Sequence, residues 1–149
     1  MIIQPIVEGQ GDEAAVPLLL RRLRDEAQAW GLEVGRPHRR RRTQLVRKDS
    51  LQSAVQVAAL RGRAPILCDA TSHEEPEVPR DAKGELERRM PRGASYSATV
   101  DQPILTAHLD LESAYRGCRS FRKLVSAFGE LAIAAGAAPA VWPPNAWVS

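Results

Sequence analysis

Residues 2–13 read IIQPIVEGQGDE, and the fold of the chain turns on how they are read. Ile2, Ile3, Ile6 and Val7 are β-branched and suit a strand. Pro5 lacks the N–H that a central ladder uses, which points to an edge position or a bulge. Gly9 and Gly11 then permit a tight turn from strand into helix. That leaves Glu8 at the carboxyl end of a strand, where open α/β sheets place their ligands. The spacing alone is equally compatible with Glu8 as a solvated turn residue.

Outward from this stretch, Val16, Leu19, Leu20, Leu23, Ala27 and Trp30 recur at three- and four-residue steps, predicting a helix over 12–31 with Gly31 as its stop. Pro17 implies a later start or a kinked opening. A weak strand is predicted over 32–37, with Leu45 and Val46 extending or replacing it. Ser50 suits the N-cap of a second helix carrying Leu51, Ala54, Val55 and Ala58, and ending at Gly62. Ile66, Leu67 and Cys68 form an unbroken apolar run, as in a strand covered on both faces, and Asp69 closes it. Strands alternating with helices imply parallel pairing through right-handed crossovers. Beyond a polar stretch over 71–91, a short helix is predicted over 82–90, an extended segment over 95–100 and a short helix over 109–115. A long helix follows, capped by Ser120 and burying Phe121, Leu124, Val125, Phe128 and Leu131.

At 149 residues the chain fits one domain, taken as 1–138, with 139–149 as a tail containing proline and tryptophan. Trp142 and Trp147 in that tail either dock on the body or contact another chain. No apolar run approaches the ~20 residues of a membrane span, and no secretory leader is visible. Two widely spaced cysteines, Cys68 and Cys118, fit a reducing cytoplasm. The net charge is +3, but the basic charge is clumped. Arg36, His38, Arg39, Arg40, Arg41, Arg42, Arg47 and Lys48 follow one another with no acid between them. Such a run attracts polyanions by releasing their counterions, and serves equally well as a solvated edge. No aromatic residue interleaves with it, so bases have no stacking platform.

Glu8 and Asp69 at adjacent strand ends form a chemically suggestive pair. Two carboxylates ~4 Å apart repel by about 1 kcal/mol in water and about 4 kcal/mol at a semi-buried effective dielectric. A divalent cation relieves that repulsion, and Mg²⁺ favours one or two carboxylates with waters and phosphate oxygens. Asp12 and Glu13, one turn away, read first as helix N-terminal charges. There is no GxSxG elbow, no P-loop and no complete dinucleotide fingerprint. His38, His73 and His108 each stand alone and read as surface residues.

IVEGQGDEAAVPLLLRRL, residues 6–23, resembles the opening of the DUF4276 family of uncharacterised bacterial Toprim-like proteins. The stretch from Ala82 to Leu124, with SYSATVDQP and SFRKL inside it, is similar to that family's C-terminal segment. The resemblance implies a small parallel sheet flanked by helices, here lacking about one strand and one helix, judged by ordinary element sizes. It implies Glu8 as a general acid or base and Asp69 as the first aspartate of a Mg²⁺-holding acidic motif. Thr71 stands where the second aspartate is expected, and a neutral hydroxyl is a poorer Mg²⁺ ligand. Three functions follow as expectations. One is metal-dependent phosphodiester chemistry on nucleic acid at Glu8 and Asp69, with the arginine run drawing the substrate in. Another is a catalytically inactive accessory module working through a partner such as an ATPase. The last is simple nucleic-acid binding through Arg36 to Lys48. The missing strand adds a motive for homo-oligomer formation, since it leaves a sheet edge or an apolar face uncovered.

Overall fold

The computed structural model describes residues 1–45, 47–68, 82–137 and 141–148. The described strands are β1 (Ile2–Val7), β2 (Glu33–Val34), β3 (His38–Arg39) and β4 (Arg63–Cys68). The helices are α1 (Asp12–Glu26), α2 (Arg42–Leu45), α3 (Lys48–Leu60), α4 (Ala82–Arg89), α5 (Ala98–His108), α6 (Leu111–Gly117), α7 (Arg119–Ala134) and α8 (Asn145–Val148). None among the described residues is long and apolar enough to cross a membrane.

All strands are parallel and all pair with β1. β4 runs beside β1 along its full length, Ile2 opposite Arg63 through Val7 opposite Cys68. The other side of β1 is shared. Glu33, Gly35 and Arg40 donate their amides to the carbonyls of Met1, Ile3 and Val7, which all point to one side of the strand. β2 and β3 are therefore one edge strand in two pieces. The break falls opposite Pro5, the next residue in that series, which has no N–H to offer. So Pro5 does not mark an edge or a bulge in its own strand. β1 is central, and the neighbouring strand carries the interruption. The Gln4 side chain spans the gap, donating from Nε2 to the Arg36 carbonyl and accepting at Oε1 from Arg63 at 2.5 Å. Those bonds account for a polar side chain buried in the middle of a sheet.

Alternation along β1 sends its residues to two different layers. Ile3 packs with Leu20 and Leu23 of α1, Val125 and Phe128 of α7, and Ile66 of β4. Ile6 faces the opposite way, against Ala54 and Leu51 of α3. Helices thus cover both faces, α1 and α7 on one and α3 on the other. The larger layer is closed by the tryptophans. Trp142 donates to the Val125 carbonyl at 2.9 Å and stacks at a tilt on Phe128, and Trp147, 5% exposed, packs between Trp142 and Tyr115.

Several local expectations are corrected. α1 begins at Asp12 and keeps Pro17 inside it, and it ends at Glu26, short of Gly31, with Gln28 in the left-handed region. Leu45 lies in α2, not in a strand, and Val46 is outside the described residues. Arg47, not Ser50, caps α3, so Ser50 falls in its first turn. Residues 98–100 open helix α5 where an extended segment is expected, with Ser97 at its N-cap. Cys118, not Ser120, caps α7, its sulfur accepting from the Phe121 amide. Side chains set where a helix is possible, and neighbouring residues compete for its first turn.

Candidate functional site at the ends of the parallel strands

The chain leaves β1 by α1 toward the β2–β3 side, then passes through α3 to β4 on the other side of β1. The two crossovers run in opposite directions over opposite faces of the sheet, so the sheet changes winding between β1 and β4. In open α/β sheets the crevice beyond the carboxyl ends of such a strand pair is where ligands bind. Val7 and Cys68 are paired across it. Glu8 follows Val7 and is half-buried at this mouth. Asp69 follows Cys68 in sequence and, like Thr71 and His73, lies outside the described residues.

The turn after Glu8 is held by Asp12. Its Oδ2 accepts the Gly9 amide at 2.8 Å, and its Oδ1 accepts the Gln102 side-chain amide at 2.6 Å. A Cβ on Gly9 would stand 2.9 Å from that Oδ2, so the glycine makes room for the carboxylate. Gly11 has ordinary helical angles, φ −63 and ψ −33. Its role is space: a Cβ there would sit 2.6 Å from the Ala98 carbonyl oxygen and against Gln102 Oε1. Asp12, expected to act as a dipole charge, is a clamp joining the first turn to α5.

The start of α5 brings more polar groups to this place. Asp101 Oδ2 accepts the Ser97 amide at 2.6 Å, and Glu87 accepts the Tyr96 amide at 3.0 Å. Burial, then the negative charges of Asp101 and Asp12, pushes the Tyr96 hydroxyl above its ordinary range. Tyr96, Asp101 and Gln102 are not evident from the sequence as site residues. The string SYSATVDQP does stand out there, but its expected extended form hides the contact. Ser97 with an acid in the turn that follows is the signal of a helix start there, and it carries no information on what that helix docks against.

Among the described residues no three metal-ligating side chains converge. Asp12 has both oxygens engaged, and Glu13 leans to Arg39 at 3.6 Å, an exposed pair worth about 0–1 kcal/mol. A Mg²⁺ site here therefore needs Asp69 as well as Glu8, and the described residues by themselves do not supply a ligand set.

The arginine run is not one patch. Arg36 is exposed beside the break in the edge strand. Arg39 pairs in register with Val7 and turns toward Glu13. His38, opposite Ile6, faces the α3 layer, and Arg40 follows two residues on. Arg41 is exposed, Arg42 opens α2, and Arg47 and Lys48 are exposed at the start of α3. His38 Nε2 and Arg40 Nε are both buried without a hydrogen-bond partner among the described residues. Burial, reinforced by the positive charges of Arg40 and Arg61, holds the imidazole below its usual range.

No protein-family model matches the chain, and neither the curated proteins nor the solved structures contain a match.

Proposed function

We propose that the chain is a reduced Toprim-like protein of the DUF4276 type, lacking about one strand and one helix of that fold. Its candidate activity is metal-dependent cleavage or transfer of a phosphodiester in nucleic acid, in a cytoplasmic setting. The supporting observation is the pairing of Val7 with Cys68 at the switch in winding, because these residues immediately precede Glu8 and Asp69. Glu8 is assigned the proton-transfer role. Glu8 and Asp69 together would hold Mg²⁺, which would supply positive charge for a phosphodiester oxygen. Arg36, Arg39, Arg40, Arg41, Arg42, Arg47 and Lys48 are assigned to backbone phosphates. The outer edge of β4 has no strand partner among the described residues, which favours a second copy or a partner chain there.

The test is nicking of a supercoiled plasmid with Mg²⁺ or Mn²⁺, using wild type and Glu8→Gln. Loss of a general acid or base typically costs about 10²- to 10⁴-fold, so the variant is expected to be inactive. Cleavage by Glu8→Gln at the wild-type rate rejects the assignment, as does calorimetry showing no metal uptake.

A second reading is favoured by the engagement of Asp12, which leaves the acidic mouth with fewer open ligands. On that reading the chain is an inactive accessory module for a partner such as an ATPase. Nicking and metal binding would then both be absent, while the ATPase co-purifies.

A further inference from the structure

Buried N–H groups and ring nitrogens without a partner are rare and call for a missing ligand or water. Two such atoms lie two residues apart at the end of the edge strand, His38 Nε2 and Arg40 Nε. The register of His38 with Ile6 turns it toward the α3 layer, away from the Arg39–Glu13 pair. Neither residue has an ion-pair partner among the described residues, and the Arg40 Nε is unused. We infer that His38 and Arg40 form a subsite for one phosphate-type oxyanion on the α3 side of the edge strand, a ligand that supplies acceptors to both orphaned nitrogens. The inference deepens the nucleic-acid reading and is independent of the metal site.

The surrounding charge favours an anion. The charged groups acting on His38 are Arg40 from its own strand and Arg61 from the end of α3, both cations, with no acid among them in the described residues. Arg63, on β4, is directed at Gln4 instead. In the free protein burial, then these cations, hold the imidazole below its usual range. An oxyanion cancels their repulsion and rewards a proton on the ring. Binding is therefore coupled to proton uptake and tightens as pH falls. Each unit by which the anion raises the His38 midpoint appears as about tenfold in affinity across the titration.

The ligand is either a phosphodiester of a nucleic acid or a free phosphate-like ion, and the two are separable. The chain has three histidines, so the His38 ring proton can be followed by NMR as pH is varied. The titration is run in EDTA, alone, with sulfate, and with a short oligothymidylate, both of constant charge over the range. Binding of the labelled oligonucleotide is measured in parallel at about pH 5.5 and 7.5, either side of a normal imidazole midpoint. The expected result is an upward shift of the His38 midpoint with oligonucleotide and tighter binding at the lower pH. His38→Gln is expected to abolish the pH dependence, Arg40→Gln to weaken binding about tenfold or more, and Arg41→Gln to leave the pH dependence intact. A shift with sulfate alone keeps the subsite, assigns it to a free anion and removes the nucleic-acid reading. A His38 midpoint unmoved by either ligand, or an unchanged pH dependence in folded His38→Gln, overturns the inference. Failure of plasmid nicking bears only on Glu8 and Asp69, since no metal is present here.

Discussion

Replacing Gly11 by alanine separates two explanations for the glycine in the turn. If it served only backbone freedom, alanine would be harmless or better, because its φ of −63 and ψ of −33 suit any residue. Alanine at such a compatible position stabilises by about 0.4–1 kcal/mol through the unfolded state. The contacts argue the other way. The new Cβ would meet the Ala98 carbonyl oxygen at 2.6 Å and the Gln102 side-chain oxygen. Gln102 is a flexible side chain and can move, but moving it loosens its 2.6 Å bond to Asp12. The Ala98 carbonyl is backbone in the first turn of α5 and moves only with that helix. Overpacking of this kind costs about 1–3 kcal/mol, so the net expectation is a loss of about 1–2 kcal/mol. In urea, with a slope of about 2 kcal/mol per molar, the midpoint should fall by about 0.5–1 M. Circular dichroism in urea measures it, and Gly11→Ala, Gln102→Ala should not recover wild-type stability because the Ala98 clash remains. An unchanged or raised midpoint in Gly11→Ala would show that α5 does not rest on the turn after Glu8.

Three further outcomes follow from the same packing. The bond between Asp12 and Gln102 is charge-assisted, so a double-mutant cycle with Asp12→Asn and Gln102→Ala should give a coupling of about 1–2 kcal/mol in urea unfolding; a value near zero removes the clamp. Gly129→Ala places a Cβ 2.8 Å from Trp142 Nε1 and should displace that ring from the Val125 carbonyl. In a Trp30→Phe background the emission should move to the red, and an unshifted spectrum would place Trp142 elsewhere. Asp110 is held below the usual carboxylate range chiefly by the Ser113 amide, then by the Ser113 hydroxyl. A depressed carboxylate contributes stability above its unfolded midpoint, lost as pH falls through the folded one. Asp110→Ala should therefore lower the melting temperature at neutral pH and flatten its acid decline below about pH 4. A parallel decline in both proteins counts against the cap.

The opening strand, the turn at Gly9 and Gly11, the parallel α/β class, and helices α1, α3 and α7 were all legible in the residues. They carry their own evidence: β-branched runs, glycines at a turn, and apolar positions at helical spacing. Their ends were not, since Pro17, Ser50 and Ser120 are each compatible with more than one first turn. Glu8 could be placed at a strand end from its neighbours alone. That Asp12 reaches across 90 residues to Gln102 could not, because no local pattern encodes which surface a helix docks against.

The sequence by itself determined the alternation of strands and helices, and it put an acid directly after each of the two long strands. Both are local properties, set by side-chain shape and by the short-range preferences of the backbone. Only the tertiary structure decided that β1 is central despite Pro5, with the missing N–H answered by a break in the neighbouring strand. It also decided that the arginine run is divided, with Arg39 turned to Glu13 while His38 turns to the α3 layer. A strand's register fixes which side each residue faces, and register belongs to the pairing of two segments, not to either one alone.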